Sequence, residues 1–158
     1  MRALALLLVL ATPVPQRPAT GDRLRPAPKS DRIRSVDLKA LFTGELGAVS
    51  TREVVYADLT EDGVEEAIVP LDAQGSAADV AIAVFGYDEV GVLRPLLLHR
   101  GQHLAFKVTA GKLTITEPVY GPGEPNCCPS GSVVIGYRWD GQALVPSARR
   151  TVAPKSSK

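Results

Sequence analysis

Short apolar runs separated by tight-turn signals follow one another from residue 52 to residue 146. Runs of four to nine residues rich in Val, Ile and Leu are typical of β-strands. Because the links between successive runs are short, neighbouring strands are expected to be antiparallel. The sequence therefore predicts a mainly β (α+β) fold: a single curled antiparallel meander sheet with one short N-terminal helix.

Turn residues define the predicted strands and hairpins. Asp140-Gly141 is the strongest hairpin signal in the chain, and Ala110-Gly111 is a second one. The run at 79–87 is almost wholly apolar, which favours a central strand. The predicted helix spans 36–42, with Ser35 as its N-cap and one apolar face. The predicted strands are 52–57, 67–71, 79–87, 92–99, 104–109, 112–118, 132–139 and 143–146.

The N-terminal stretch predicts export. One arginine precedes a nine-residue apolar run at 3–11, which is too short for a stable membrane-spanning helix. We interpret residues 1–11 as a secretory signal peptide; the alternative is an apolar N-terminus of a cytosolic protein. No cysteine directly follows this run, so the sequence offers no acceptor for a lipid anchor. The expected location is secreted or extracytoplasmic, in the periplasm or cell envelope.

Composition divides the rest of the chain into three parts. Residues 12–35 hold five prolines and six basic residues, which predicts a Pro-rich disordered linker. Residues 36–147 hold fifteen acidic and seven basic residues and form the predicted β-dominated globular domain. Residues 148–158 hold four basic residues and no acid, which predicts a basic disordered tail. An acidic body argues against nucleic acid as a partner, and no transmembrane segment is expected after signal cleavage.

An acidic loop lies between two predicted strands and is a candidate cation site. Gly63 stands at its sixth position, where cation loops of the DxDxDG type turn sharply. Val69 occupies the twelfth position, so the loop is not an EF-hand. Any Ca²⁺ site would be weak; the alternative is an acidic β-turn in which Asp58 and Asp62 accept backbone hydrogen bonds. The candidate metal ligands are Asp58, Thr60, Asp62, the carbonyl group of Val64, and Glu66.

The loop 120–131 is rich in proline and glycine and contains both cysteines of the chain, Cys127 and Cys128. Long irregular loops are often functional. In an oxidising compartment, the sole disulfide available within one chain joins these two neighbours. The functional alternatives are a redox switch, a stiff ligand-contact surface or metal capture. The structural alternatives are two reduced residues in a tight turn or a bridge that only stiffens the loop.

The remaining polar residues give weaker signals. His99 and His103 flank a predicted turn, and two histidines alone make a poor metal site. Ser130 lacks the setting of a nucleophilic serine. Tyr137 and Trp139 are expected to pack at a strand end. No catalytic residue is predicted, and no cofactor other than Ca²⁺.

Four segments together resemble a known group of proteins. In this order, they resemble small exported actinobacterial proteins of the LppP/LprE lipoprotein type, over about residues 50–146. That resemblance implies an envelope-associated protein without an assigned enzymatic activity. This chain departs from the group in lacking the lipid-attachment cysteine and further cysteines that could pair with Cys127 or Cys128. The four segments read YADLTEDGVEEAIV, DVAIAVFGYD, YGPGEPNCCPSG and YRWDGQALV.

The leading functional prediction is an exported, non-catalytic binding or interaction module of the cell envelope. The loops 58–66 and 120–131 are its expected working surface, and its partner is an envelope or extracellular ligand that the sequence does not name. The alternative is a redox-active or enzymatic protein that uses the adjacent cysteines. A third class is a purely structural envelope protein. The sequence does not specify an oligomeric state.

Overall fold

The computed structural model describes residues 29–42, 50–51, 54–72 and 79–153. The predicted signal peptide and most of the predicted linker lie outside these residues. In the described part, no helix is long and apolar enough to span a membrane. The elements, in chain order, are α1 (Lys29–Arg34), a 3₁₀ helix (Leu38–Phe42), β1 (Ser50–Thr51), β2 (Val55–Ala57), β3 (Glu66–Asp72), β4 (Asp79–Tyr87), β5 (Leu93–Arg100), β6 (Ala105–Thr109), β7 (Lys112–Val119), β8 (Gly131–Trp139) and β9 (Leu144–Val152).

The strands form two antiparallel sheets. In the first sheet, β3 pairs with both β1 and β2 on one side and with β4 on the other, and β5 follows β4. The second sheet is the meander β6-β7-β8-β9. The prediction of a mainly β, antiparallel fold is confirmed. The predicted single meander sheet is wrong, because the strands form two sheets that divide after β5: β6 pairs with β7 and not with β5.

The main core lies between the two sheets. Alternate residues of each strand point inward, as the period of two requires. Ile82 and Val84 of β4 face the same cluster as Ile115 of β7 and Ile135 of β8. The buried members of this cluster are Leu59, Ile68, Ile82, Val84, Leu96, Leu104, Leu113, Ile115, Val133, Ile135, Tyr137 and Leu144.

The N-terminal segment covers the other face of the first sheet. Ile33 of α1 is fully buried there, and Phe42 packs edge-on against Phe85 with ring centroids 5.7 Å apart. The folded part thus begins before the predicted boundary at residue 36, inside the predicted linker. One apolar side chain in a charged helix is enough, because the flanking arginines Arg32 and Arg34 lie over tyrosine rings of the sheet.

The predicted helix at 36–42 is a 3₁₀ helix at Leu38–Phe42, and its cap is not the predicted one. The Ser35 hydroxyl donates to the Arg32 carbonyl group, so Ser35 closes the end of α1. The Asp37 carboxylate accepts hydrogen bonds from the N–H groups of Lys39 and Ala40. Asp37 therefore caps the 3₁₀ helix, because its side chain reaches two donors that the short helix leaves unpaired.

The folded part also extends beyond residue 147, the predicted C-terminal end of the domain. β9 continues to Val152, through the first residues of the predicted basic tail. It pairs along β8, with Arg149 opposite Ile135 and Arg150 opposite Val134. The basic composition alone predicts a solvated tail here. An edge strand accommodates charged side chains, since one of its sides faces solvent and charge discourages further strand pairing.

Both predicted hairpin turns are confirmed. Ala110 and Gly111 have φ values of 48° and 69°, as expected for a two-residue turn in which both central residues are left-handed. In the other hairpin, the Asp140 carboxylate accepts hydrogen bonds from the N–H groups of Gln142 and Ala143. The backbone angles of the first turn and the hydrogen bonds of the second define the shapes of these two connections.

Candidate functional site

The acidic turn after β2 is held by its own carboxylates. Asp58 accepts hydrogen bonds from the N–H groups of Glu61 at 2.8 Å and Gly63 at 2.9 Å, one on each oxygen. Asp62 accepts from the N–H group of Val64 at 2.8 Å. These side chains satisfy donors that the tight turn would leave unpaired. The turn is therefore fixed in shape by its sequence, as the acidic β-turn alternative described.

Glu66, at the start of β3, points away from solvent and closes the turn from inside. The residue is 3% exposed. One carboxylate oxygen accepts hydrogen bonds from the N–H groups of Leu59 at 2.7 Å and Thr60 at 3.3 Å, and the other accepts from the Thr60 hydroxyl at 3.2 Å. Gly86 of β4 lies beneath it, where a Cβ atom would meet the Glu66 side chain at 3.1 Å. Glu66 thus joins the turn to the sheet.

Burial dominates the acidity of this carboxyl group. It raises the pKa of Glu66 from the ordinary value of 4.5 to about 7, and the nearby charges of Asp62 and Asp58 act in the same direction. The hydrogen bonds from Leu59 and Thr60 act against this rise. Glu66 therefore titrates close to neutral pH.

A cavity of about 790 Å³ opens beside Glu66. It lies where three connections meet: the acidic turn after β2, the β4–β5 turn and the β8–β9 turn. Trp139, the one tryptophan of the sequence, lines it. The volume falls in the range of about 300–1,000 Å³ that is usual for ligand pockets. The lining residues are Thr60, Asp62, Glu66, Tyr87, Asp88, Glu89, Val90, Arg94, Leu96, Trp139, Gly141 and Gln142.

The β4–β5 turn forms an ordered rim of this cavity. Asp88 accepts hydrogen bonds from the N–H group of Val92 and from the side chain of Arg94. These bonds hold the pKa of Asp88 below its usual value. Val90, at the tip of the turn, is 83% exposed although it is apolar. The rim thus presents an apolar tip on a turn that its own carboxylate holds in place.

The predicted metal ligands come together only in part. Asp58 and Asp62 share the turn, but their carboxylates are engaged with backbone N–H groups, and Glu66 points inward to Leu59 and Thr60. Among the described residues, no group of three or more His, Cys, Asp or Glu side chains is arranged to hold a metal ion. The weak Ca²⁺ site stays a prediction, and the hydrogen bonds agree with the acidic-turn alternative.

The loop 120–131 is ordered by a second glutamate. The Glu124 carboxylate accepts hydrogen bonds from the N–H groups of Gly121 at 2.6 Å and Ser130 at 3.0 Å, so it joins the two ends of the loop. The Tyr120 hydroxyl donates to the Asn126 carbonyl group at 3.0 Å. None of its residues lines the cavity beside Glu66.

The two cysteines are exposed thiols at the tip of this loop. Their thiol groups are in contact, and no disulfide joins them. The pKa of the Cys128 thiol is raised, chiefly by its hydrogen bond with Cys127. A raised pKa leaves less thiolate, which is the reactive form, at neutral pH. The predicted vicinal disulfide stays a prediction, with its two partners side by side.

The two histidines lie away from the cavity. His99 is at the end of β5, where its Nδ1 atom and the Tyr137 hydroxyl share a hydrogen bond of 2.8 Å between the two sheets. Its Nε2 atom is 3.9 Å from the Glu117 carboxylate. His103 packs edge-on against Tyr120, with ring centroids 6.3 Å apart. Both rings therefore serve contacts between elements.

Sequence reasoning missed the part that Trp139, Tyr87 and the 88–92 turn play in the cavity. The strand-end position of Trp139 was predicted, but the packing of the two sheets brings it to the acidic turn. A usable signal existed for Glu66: of the two adjacent acids, it is the one that directly precedes a buried run, from Ala67 to Leu71. A carboxyl group at such a position needs internal partners.

Comparison with known proteins gives one distant relative. Over 87 residues, which are 55% of this chain and 38% of the relative, the chain is 29% identical to "Lipoprotein CseA" of Streptomyces coelicolor. The chain thus spans well under half of that protein's length. No family model matches the chain, and no solved structure matches it. The likeness to a lipoprotein agrees with the coarser part of the sequence resemblance, and the LppP/LprE type stays a prediction.

Proposed function

We propose that this chain is an envelope-associated, non-catalytic binding module whose binding site is the cavity beside Glu66. The observation that carries the proposal is the cavity itself, a concave site of ligand size with polar, aromatic and apolar lining residues. The distant similarity to a lipoprotein supports the assignment to the envelope. The expected occupant is a small molecule or a segment of an envelope or extracellular partner.

The rim of the cavity favours binding because it is already organised. Each of the three connections is held by an aspartate that accepts backbone hydrogen bonds: Asp58, Asp88 and Asp140. A rim fixed before the ligand arrives costs less ordering entropy on association. Of these three residues only Asp88 lines the cavity, and its carboxylate is already bonded to Val92 and Arg94, which leaves the other lining residues to contact the ligand.

The proposed site shares the acidic turn with the predicted working surface, but its other parts are not the predicted ones. The cavity is completed by the turns at 88–92 and 139–142, on the same end of the sheets, rather than by loop 120–131. That loop stays a predicted second contact surface. The redox alternative through Cys127 and Cys128 stays a prediction as well.

Trp139 offers a direct test, since it is the single tryptophan and lines the cavity. A panel of short peptides, neutral oligosaccharides and alkylamines is titrated while Trp139 emission and the melting temperature are followed. A ligand that enters the cavity shifts the emission and stabilises the folded state by mass action.

The Gln142→Tyr variant provides the matched control for site occupancy. Gln142 is exposed at the cavity, and its backbone bond to Asp140 survives the change, so the larger ring obstructs the cavity without disturbing the turn. Lys107→Tyr adds the same ring on an exposed β6 position outside the lining. Binding should be lost in the first variant and kept in the second. A panel in which no compound changes either signal contradicts the proposal.

A further inference from the structure

We infer that the cavity beside Glu66 selects a ligand carrying a primary amine or a guanidinium group on an apolar stem, as in a lysine or arginine side chain of a peptide. This inference rests on the proposed function and names the chemical class of its ligand. Three features of the lining support it: its uncompensated charge, the guanidinium groups that its residues already hold, and the apolar and aromatic groups beside the charge.

The first feature is charge. Four carboxyl side chains line the cavity against one guanidinium group. That guanidinium, Arg94, is paired with Asp88. Asp62 and Glu89 are then left without a cation among the lining residues, and Glu66, whose pKa is about 7, adds only part of a negative charge at neutral pH. A cavity with one sign of charge and low-dielectric walls attracts ligands of the opposite sign.

The second feature is that residues of this cavity already bind the chain's own guanidinium groups. The Arg32 guanidinium lies over the Tyr87 ring, 4.6 Å from its centroid, and reaches toward the Gly91 carbonyl group at 3.5 Å. Arg94 is held by the Asp88 carboxylate. Ring, carbonyl and carboxylate are the partners that a guanidinium takes in proteins. In the rest of the lining, Trp139 and Glu89 offer a ring and a carboxylate of the same kinds.

The third feature is the mixed character of the wall. Trp139 is the aromatic side chain best suited to a cation–π contact. Val90 stands exposed at the rim, and Leu96 lies at the wall. Long basic side chains bury their methylene stems on apolar surface and keep the charged end near carboxylates. A bare divalent ion fits less well, because the lining carboxylates of the described residues do not converge as metal ligands do.

The test uses the whole chain and four capped tripeptides that differ at one position: Ac-Ala-Lys-Ala-NH₂, Ac-Ala-Arg-Ala-NH₂, and the matching Gln and Glu peptides. Binding is followed by Trp139 emission at low salt. The Lys and Arg peptides should bind at least about tenfold more tightly than the Gln peptide, which corresponds to about 1.4 kcal/mol. The Glu peptide should bind least. Free butylammonium, run alongside, shows whether an amine suffices without a peptide backbone.

Two neutralising variants locate the effect. Asp62→Asn and Glu89→Gln should each weaken the cationic peptides several-fold and leave the Gln peptide unchanged. The amide that replaces the Asp62 carboxylate keeps an oxygen for the Val64 N–H group, so the turn survives the change. Glu61→Gln removes one charge from the same turn at an exposed position outside the lining, and should change binding far less.

The outcomes separate this inference from the proposed function. If the Gln or Glu peptide, or a neutral oligosaccharide, binds as well as the Lys and Arg peptides, the cation preference is overturned while the binding module stands. If no compound of either panel binds, both fall. Charged quenchers give an independent reading: caesium should quench Trp139 more strongly than iodide does, after correction for their free-indole efficiencies. Stronger quenching by iodide would contradict the negative potential at Trp139 on which the inference rests.

Discussion

Two glutamates perform the same task in two loops of this protein, with opposite consequences for their acidity. Glu66 and Glu124 each accept backbone N–H groups and so tie an irregular segment together. Glu66 is buried, and its pKa is raised to about 7. Glu124 lies near solvent, and its pKa is lowered because the hydrogen bonds from Gly121 and Ser130 outweigh the opposing effect of burial. For the buried Glu66, desolvation raises the pKa more than its hydrogen bonds lower it.

The difference also bears on where a ligand would bind. The Glu66 turn is joined to the sheets and adjoins a cavity, so an ordered wall surrounds it. The Glu124 loop closes on itself and carries exposed thiols. The first arrangement suits a preformed binding site. The second suits a surface loop whose shape would change with the oxidation state of its thiols. Five measurements test this comparison.

The largest effect is expected for Glu66→Ala. The change leaves the buried N–H group of Leu59 without its 2.7 Å partner and opens space beneath the turn. We expect a loss of about 2–4 kcal/mol in the free energy of unfolding. Denaturant unfolding followed by Trp139 emission measures it. Glu65→Ala is the matched control: its ion pair with Arg34 is near the surface, so its loss should cost less than about 1 kcal/mol. Equal losses would contradict the special position of Glu66.

The pH dependence of stability comes next. Because the folded-state pKa of Glu66, about 7, lies above the ordinary 4.5, the folded state binds this proton more tightly than the unfolded chain does. This group's contribution to stability is therefore present below pH 4.5 and is lost as pH rises to 7. Glu66→Gln keeps an oxygen for the N–H groups of Leu59 and Thr60, and its NH₂ group faces the Thr60 hydroxyl, which must then accept instead of donate. The change removes the titration, so the variant should gain about 2–3 kcal/mol relative to wild type across that interval.

The groups that face Glu66 are the same in both proteins: Asp58 and Asp62 from its own turn, and Asp88, Glu89 and Arg94 across the cavity. Their own titrations therefore largely cancel in the difference between variant and wild type. A difference that stays constant from pH 4 to pH 8 in urea unfolding would show that Glu66 titrates normally.

The effect of Ca²⁺ on the acidic turn is expected to be smaller. If Asp58 and Asp62 bind the ion, it relieves their mutual repulsion and stabilises the folded state by about 1.4–2.7 kcal/mol at ~10 mM, given a dissociation constant of about 10⁻⁴–10⁻³ M. The melting temperature should then rise, and Asp62→Ala should abolish the rise. An unchanged melting temperature over this range leaves an acidic turn held by its own backbone.

The Glu124→Ala change should lower the free energy of unfolding far less than Glu66→Ala does. Both N–H donors, of Gly121 and Ser130, lie in a partly exposed loop where water can replace the carboxylate. Amide hydrogen exchange should accelerate at 121 and 130 while the β-strand amides keep their protection. Loss of protection throughout the second sheet would show that this loop is part of the core.

The smallest effect is expected for Cys127→Ser/Cys128→Ser. Both side chains are exposed, and a bridge between neighbours closes almost no chain, so the melting point should stay near that of the wild type. Mass spectrometry of the exported protein without reductant should show the two-hydrogen deficit of the predicted vicinal bridge. Two free thiols would overturn that prediction and leave the hydrogen-bonded pair.

The sequence predicted strands and turns well because these depend on local patterns. Period-two alternation in β7 and the turn residues Ala110-Gly111 act over a few residues. The division into two sheets was not predictable in this way: alternation shows which residues face inward but not which sheet lies opposite. α1 was missed because five polar residues surround Ile33, and the end of β9 was missed because Arg149 and Arg150 resemble a solvated tail.

Of the three turns that line the candidate site, only the acidic turn could be identified from the sequence. The acidic turn is contiguous in sequence, so its pattern could be identified, whereas the turns at 88–92 and 139–142 reach it through tertiary packing. Glu66 was assigned as a metal ligand because of its position in a loop pattern. The direction of its side chain depends on Gly86 of the neighbouring strand, which leaves room for it. Such pairings require the three-dimensional fold.

Gly111 has a consequence for how this protein varies among its relatives. At this position the backbone is left-handed, with φ 69°, and a Cβ atom would lie 2.9 Å from the main-chain oxygen of Asp58. Any substitution would be strained by its backbone and would also push the β6–β7 turn off the acidic turn. Descendants of this sequence are therefore expected to keep glycine here although it lies on a surface hairpin. An invariant glycine at residue 111 would therefore reflect the packing of one sheet on the other. Conservation caused by ligand binding is expected instead at Glu89, Trp139 and Gln142.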